Sequence, residues 1–391
     1  MYLLVCGALS GYGVYSSVRL TRSDSCFHRN TVESVADAVR LDPSRGLYRL
    51  WLAELLENDG RDGSVELAAA TRLNPMDSRI WIRRALSVEA AGDRAEAERL
   101  LLHAASIDRL MEPRWTLMNF YFRAGDEAKF WPWARQALEI SYGDRGPLFD
   151  LCWRVRESAS VIESAALPAK YPVRAQFVRF LLERGRAAEA GDMAALLVPE
   201  APLSDAGLYE ACVEGLLQVP GDGALKLWNV LCRRRLVPFE PLDPPAGRVL
   251  TNGGFEREPS STGFDWRVPK VEGVSAFRTV EPVGMRFALN HKQPDSCQLL
   301  TQTVPLLPKR SYRLTFIYRT TGIPPGSGLR VRAGDRTGPD LSSESWTGQS
   351  VTFHSGAPGR ESIAFEYQRP QGVVRIEGTL DIRSVSVEAV Q

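Results

Sequence analysis

The stretch Ala70-Thr-Arg-Leu-Asn-Pro75 repeats Ala38-Val-Arg-Leu-Asp-Pro43 at an offset of 32 residues. The start of this unit returns as Ala104-Ala-Ser-Ile107 after 34 residues and as Ala137-Leu-Glu-Ile140 after 33 more. Proline lacks the amide hydrogen that a helix interior needs, so it ends one helix and can begin the next. A period of about 34 residues therefore predicts helical hairpins stacked in a row.

Small and large residues recur in these units as close helix packing requires. Alanines stand where helices approach, large apolar residues fill the space between them, and Gly-Asp pairs separate the two helices. These residues are Ala85, Ala97, Ala104, Trp81, Leu101, Gly92-Asp93 and Gly125-Asp126. The pattern resembles the tetratricopeptide-repeat family and assigns residues 30–236 to a helical repeat domain. The resemblance implies about five or six hairpins and a groove that binds a peptide or helix of a partner protein.

The third unit departs from the family pattern. Asn119 stands where alanine is usual, and Trp131-Pro132-Trp133 is expected to interrupt the second helix. Aromatic residues are dense here, and they either pack between adjacent repeats or form an exposed partner site. The candidate partner-binding residues are Trp115, Tyr121, Trp131 and Trp133.

The N-terminal segment is apolar. Tyr2 to Val18 contain no charged residue, and Arg19 and Arg22 follow. The segment 1–22 is interpreted as a hydrophobic membrane anchor or uncleaved signal, with a buried first helix as the alternative.

Composition and period change at residues 237–247, where Pro238, Pro241, Pro244 and Pro245 predict a stiff linker. Beyond it, apolar and polar residues alternate, as in Tyr312 to Arg319. Alternation in several short runs predicts an antiparallel β-sandwich over residues 248–391. The predicted fold class is thus multidomain α + β, an all-α solenoid followed by an all-β sandwich.

The opening Leu250-Thr-Asn-Gly-Gly-Phe-Glu256, the following Gly263-Phe-Asp-Trp266 and the final Leu380–Val387 are similar to jelly-roll carbohydrate-binding modules. In that family a structural Ca²⁺ often joins a glutamate of the opening motif to an aspartate of the last strand. The resemblance therefore implies calcium at Glu256 and Asp381. The alternative is that both are ordinary surface carboxylates.

A sugar site needs aromatic faces beside polar side chains. The candidates are Trp266, Tyr318 and Trp346 for stacking, and Arg313, Arg319, His354, Glu366 and Gln368 for hydrogen bonding. Strict alternation places Arg313, Arg319, Glu366 and Gln368 on one face opposite the core. The alternative is that Trp266 and Trp346 pack in the core or at its rim.

Charge and motifs exclude several classes of protein. The formal net charge is only +1, which disfavours a nucleic-acid partner. The histidines and cysteines show no metal-ligand spacing, and no nucleotide-binding or nucleophile motif is present, so we expect no enzyme activity and no cofactor besides calcium.

These features together predict a non-catalytic adaptor. The groove would bind a protein partner and the sandwich a glycan, in polysaccharide assembly or export at the cell envelope. Two alternatives stay open: an intracellular protein-binding scaffold in the cytoplasm whose β-domain is structural or binds protein, and an accessory subunit of a sugar-degrading complex.

Overall fold

The computed structural model describes residues 2–357 and 359–390, with side chains described from residue 10 onward. The described chain forms fourteen α-helices followed by nine strands. The helices are α1 Tyr2–His28, α2 Val32–Leu41, α3 Gly46–Asn58, α4 Ser64–Leu73, α5 Ser78–Ala90, α6 Arg94–Ile107, α7 Met111–Ala124, α8 Glu127–Ile140, α9 Gly146–Val155, α10 Ala159–Ala165, α11 Tyr171–Glu183, α12 Ala187–Leu197, α13 Ala206–Leu217 and α14 Gly223–Arg233. The strands are β1 Val274–Val280, β2 Val283–Asn290, β3 Ser296–Pro305, β4 Ser311–Thr321, β5 Leu329–Ala333, β6 Arg336–Asp340, β7 Thr347–His354, β8 Arg360–Gln368 and β9 Glu377–Ala389.

The predicted fold class is confirmed: an all-α region precedes an antiparallel β region. The chain divides into two compact units, Met1–Val173 and Arg174–Gln391, here called unit 1 and unit 2. This division lies inside the range 30–236 that the sequence assigns to the repeats, because α11–α14 belong to the same unit as the sandwich.

Unit 1 is a row of helical hairpins, as the repeats predict. Consecutive helices pack in pairs, α1 with α2, α3 with α4, α5 with α6 and α7 with α8. The alanines predicted at close helix contacts are fully buried, as Ala85, Ala97 and Ala104 show. The two Gly-Asp breaks also cap the next helix, since Asp93 accepts a hydrogen bond from the Glu96 amide and Asp126 one from the Lys129 amide, both at 3.0 Å.

One expectation about unit 1 is corrected, and one is left untested. First, Trp131-Pro132-Trp133 does not interrupt α8, which runs unbroken from Glu127 to Ile140. Pro132 is exposed on the outer side, while the inner side buries Phe130 and Ala134, so tertiary packing holds the helix together despite the lost amide donor.

Second, the part of α1 that follows the predicted anchor segment 1–22 packs into the helical array. The Ser23 hydroxyl is buried and donates to the Ala38 carbonyl at 3.1 Å, and Phe27 stacks on Tyr48 with ring centroids 4.7 Å apart. Among the described residues no helix combines the length and apolar character needed to cross a membrane. The side chains of residues 2–9, on which the anchor prediction depends, lie outside the described set.

Unit 2 contains a two-sheet sandwich. The strand orders are β1-β2-β9-β4-β7 in the five-stranded sheet and β3-β8-β5-β6 in the four-stranded sheet. From β2 to β5, and again from β6 to β9, the chain changes sheet at every step, which is the jelly-roll arrangement that the resemblance implies. One apolar core fills the space between the sheets and includes Phe287, Phe316 and Phe365.

Helices α13 and α14 pack against this sandwich within unit 2. Trp228 of α14 is fully buried, and its ring lies 6.0 Å from that of Phe264 and 5.8 Å from that of Phe239. The Asn229 amide donates to the Leu242 carbonyl at 2.7 Å and accepts from the Leu242 amide at 2.8 Å. The proline-rich stretch 237–247 is therefore packed along α14 in this unit.

The cysteines with described side chains behave as small apolar residues where they are buried. Cys152, Cys212 and Cys232 are buried as free thiols, and burial raises the pKa of each to about 12. This agrees with the interpretation of helical cysteines as core residues.

Candidate functional site

The predicted sugar-binding residues separate into four groups, of which the first lies in the core. Trp266 is 0% exposed, its indole N–H donates to the Asn252 carbonyl at 3.1 Å, and its ring packs 5.6 Å from that of Phe255. Tyr318 is 4% exposed and lies against Phe316. Neither ring is available to stack on a ligand in this structure, so the core alternative is the correct one for Trp266.

The second group lies on the other sheet. Glu366 and Gln368 belong to β8 of the four-stranded sheet, whereas Arg313 and Arg319 belong to β4 of the five-stranded sheet. The predicted common face is wrong, because alternation identifies residues that point away from a core but does not say on which side of the sandwich they lie. Glu366 is held by two guanidinium groups of its own sheet, from Arg330 and Arg332, each at 3.2 Å.

The third group forms a cluster on the outer face of the five-stranded sheet. Asp381 of β9 is central, paired in register with Arg286 of β2 on one side and Arg319 of β4 on the other. Arg286 Nε donates to Asp381 Oδ1 at 2.5 Å, and an Arg319 guanidinium nitrogen donates to Oδ2 at 2.9 Å. The carboxylate is 5% exposed, so both oxygens are enclosed by their donors.

Trp346 lies beside this cluster, one residue before β7. Arg319 is centred 4.9 Å from its ring centroid and Arg383 4.7 Å from it, both within the range of cation–π contact. Arg383 is available here because β9 carries an irregularity in its pairing with β4, between the partners Ser384 and Ile382. The Trp346 side chain is half-buried.

Most of the remaining outward positions near the cluster carry small side chains, and Ile317 of β4 is the large apolar exception. By alternation and register the small residues are Ser275, Ala288, Thr315, Gly348, Ser350, Thr352, Thr379, Ser384 and Ser386, and most of them are exposed. Phe277 of β1, which is opposite Arg286, is 47% exposed. The face therefore offers hydroxyl groups and one arginine–tryptophan cluster, and most of its other side chains are too small to project far from the sheet.

Two further candidates lie on this face but away from the cluster. His354 is exposed and opposite Ser311, and Arg313 is exposed and opposite Thr352. Along β4, eight residues separate Ser311 from Arg319, which corresponds to about 26 Å of strand. His354 and the Trp346 cluster therefore do not contact the same sugar ring.

Electrostatics explain why Asp381 remains ionised although it is buried. Burial by itself raises the pKa of a carboxyl group, but the hydrogen bonds and charges of Arg286 and Arg319 outweigh it and leave the pKa of Asp381 below its usual value. The cluster thus consists of one carboxylate held by the guanidinium groups of Arg286 and Arg319, with the Arg383 guanidinium over Trp346 beside it.

The donors around Asp381 do not fit the predicted calcium. A cation at this carboxylate would have to displace a guanidinium group from it, and two positive neighbours disfavour that exchange. Glu256, the other predicted ligand, is exposed. Within residues 2–357 and 359–390, no three His, Cys, Asp or Glu side chains are grouped so as to hold a metal ion.

Sequence reasoning missed Arg286, Arg383 and Phe277. Arg286 stands between Met285 and Phe287, so alternation along β2 was enough to predict that it points outward. Its contact with Asp381 depends on strand register over 95 residues, which no local pattern reports.

Of the four predicted partner-binding aromatics of unit 1, Tyr121 is buried and the three tryptophans are half-buried. Tyr121 is 3% exposed and donates to Glu98 at 2.9 Å; burial, followed by this hydrogen bond, raises its pKa. Trp131 is half-buried with its indole N–H on Glu127 at 3.2 Å. Trp115 and Trp133 are half-buried as well.

Comparisons with known proteins give similarity to solved structures only. No known family model matches the chain, and no curated protein matches it. The structure titled "CBM4 structure and function" is 14% identical, with a TM-score of 0.28 over 36% of this chain and 98% of its own. The tetratricopeptide protein YrrB, "with an unusual peptide-binding site", is 13% identical, with a TM-score of 0.27 over 52% of this chain and 94% of its own. The Pseudomonas aeruginosa protein pilF is 15% identical, with a TM-score of 0.27 over 58% and 94%.

Proposed function

We propose that this chain is a non-catalytic adaptor of the cell envelope, in which the sandwich binds polysaccharide and the helical hairpins bind a protein partner. The sugar site in this proposal is the outer face of the five-stranded sheet around Trp346. This assignment replaces the broader predicted set, because only Trp346, Arg319, Arg313 and His354 lie on that face.

One observation carries the proposal: a half-buried tryptophan is held by arginines on a sheet face whose small residues are mostly exposed. A Trp ring that is apolar and rigidly held suits the C–H face of a sugar, while serine and threonine hydroxyls suit its hydroxyl groups. The small outward residues leave room for a chain of several sugar rings to lie across the strands.

The protein-binding part of the proposal depends on the form of unit 1. Each hairpin buries its own contacts and those with its neighbour, so the row presents a continuous surface that no single hairpin has. Trp115, Trp131 and Trp133, which are only half-buried, are the candidates for contact with a partner.

The experiment is binding of the full chain to a panel of polysaccharides by affinity electrophoresis, for the unaltered protein and Trp346→Ala. We expect retardation by at least one polysaccharide and loss of most of it in the variant. The control is Tyr142→Ala, an aromatic residue of unit 1 that is 87% exposed, which should bind normally.

Two results would count against the proposal: no retardation by any polysaccharide, or equal retardation of the Trp346→Ala variant. In the first case the sandwich would be a structural or protein-binding module. Cell fractionation tests the envelope assignment separately, and recovery of the full-length protein only in the cytosolic fraction would overturn it.

A further inference from the structure

We infer that the polysaccharide bound by this face is anionic, with a carboxylate or sulfate group contacting Arg383 beside Trp346. This inference rests on the proposed function, and it adds the chemical class of the ligand.

The first step is the charge of the cluster. Arg286, Arg319 and Arg383 contribute three positive charges and Asp381 one negative charge, so the cluster carries a net charge of +2. Asp381 is fully occupied by Arg286 and Arg319. No carboxylate of the cluster is left to neutralise Arg383.

The second step is the state of Arg383 itself. Its guanidinium group lies over Trp346, and it makes no ion pair or side-chain hydrogen bond with the residues that the structure describes. It is half-buried, so water satisfies only part of its hydrogen-bonding capacity. An arginine held on an aromatic ring with free N–H donors is an arrangement suited to binding planar anions.

The third step concerns the other acids near this face. Glu388 is in register with Arg313, six residues along β4 from Arg319, which is about 20 Å. Glu377 contacts the His291 ring at 2.7 Å. Neither contacts the cluster, and the exposed Glu344, two residues before Trp346, forms no ion pair with its arginines. Among the described residues, Asp381 is therefore the only carboxylate paired with these arginines.

A neutral sugar could stack on Trp346, but it would leave the positive charge uncompensated. A uronic acid carries its carboxylate directly on the sugar ring, and a sulfate ester lies close to it. Either group can therefore reach Arg383 while its ring lies against the tryptophan. The shared chemistry is an oxyanion next to a pyranose ring.

The test is titration calorimetry of the full chain with oligosaccharides of matched length. The probes are an oligogalacturonate, a sulfated dextran oligomer, and neutral cello- and xylo-oligomers. We expect at least one anionic probe to bind about tenfold more tightly than the neutral ones, which corresponds to about 1.4 kcal/mol. Arg383→Gln should remove about that factor, because the variant loses the charge-assisted hydrogen bond to the oxyanion. The ratio of the affinities for the two anionic probes shows whether the face prefers a carboxylate or a sulfate group.

The control is Arg336→Gln, an exposed arginine of β6 in the four-stranded sheet, which should bind like the unaltered protein. Equal affinity for neutral and anionic probes, with Arg383→Gln unaffected, would overturn this inference and leave the proposed function in place. Binding of none of these oligosaccharides or the polysaccharide panel would overturn both. Tighter binding of a single-stranded oligonucleotide than of either anionic sugar would also overturn the inference.

Discussion

Glu214 of α13 accepts two hydrogen bonds from one guanidinium nitrogen of Arg267, at 2.7 and 2.9 Å, and so joins the last helical pair to the opening segment of the sandwich. The Gly263 amide donates to the same carboxylate. This contact lies within unit 2 and is reinforced by the buried Trp228.

Glu214→Ala should loosen this junction by about 1–2 kcal/mol, because it removes a charge-assisted acceptor and leaves the Gly263 amide without a partner. The estimate is modest since the two side chains are 25% and 37% exposed. Hydrogen–deuterium exchange of peptides covering residues 259–268 is the measurement. The control is Asp222→Ala, whose partner Lys226 is on the surface. Unchanged hydrogen exchange in Glu214→Ala would contradict the role assigned to Glu214.

Gly263→Ala should be among the most destabilising small substitutions in unit 2, at about 2–4 kcal/mol. A Cβ at this position would lie 2.2 Å from the Trp228 ring, and the backbone has φ +56°. Gly326→Ala separates backbone strain from the clash with Trp228, because Gly326 has φ +75° but open space around the added Cβ. This variant should cost about 1 kcal/mol. Equal losses in chemical denaturation would show that backbone strain alone explains the effect.

Asp381→Asn should lower the free energy of unfolding at pH 7 by about 2 kcal/mol, because Arg286 and Arg319 lose their counter-charge. The pKa of Asp381 is lowered in the fold, so its stabilising effect is present above the unfolded value of about 3.9 and disappears as the pH falls through the folded value. Urea unfolding at pH 7, 5 and 3 should show the difference between variant and unaltered protein shrinking only at the lowest pH. A constant difference at all three values would refute this.

Asp265→Asn should have the opposite effect and raise the free energy of unfolding at pH 7. Burial raises the pKa of this carboxyl group, whose side chain is fully enclosed and has one oxygen without a hydrogen-bond partner. Its ionised form is therefore disfavoured in the fold, and that cost is absent below the unfolded pKa, grows between the unfolded and the folded pKa, and is constant above the folded one. The asparagine variant should unfold at higher urea concentration at pH 7, with the gain fading toward pH 3.

Asp335→Asn, an exposed aspartate in the turn between β5 and β6, is the control for both pH series. It should follow the unaltered protein throughout. A loss of stability in Asp265→Asn at neutral pH would mean that the hydrogen bond from the Ser260 amide, at 2.6 Å, needs the full carboxylate charge.

The sequence by itself determined the features that local interactions control. The hairpin units of unit 1 follow from alanine spacing and from caps such as Asp93 and Asp126, which act within three residues. The strands follow from alternation, as in Tyr312 to Arg319. The prediction that Pro132 interrupts α8 is wrong, because burial of one face of α8 stabilises the helix by more than the missing amide hydrogen bond costs.

Tertiary structure alone decided which of these elements meet. The Asp381 cluster requires register between strands whose residues are 95 and 62 positions apart, and alternation does not report register or sheet membership. Burial of Trp266 and the packing of α13 and α14 on the sandwich also depend on contacts between distant segments. The physical reason is that a local pattern specifies which side of an element is apolar, whereas the partner of that side is selected by the packing of the whole unit.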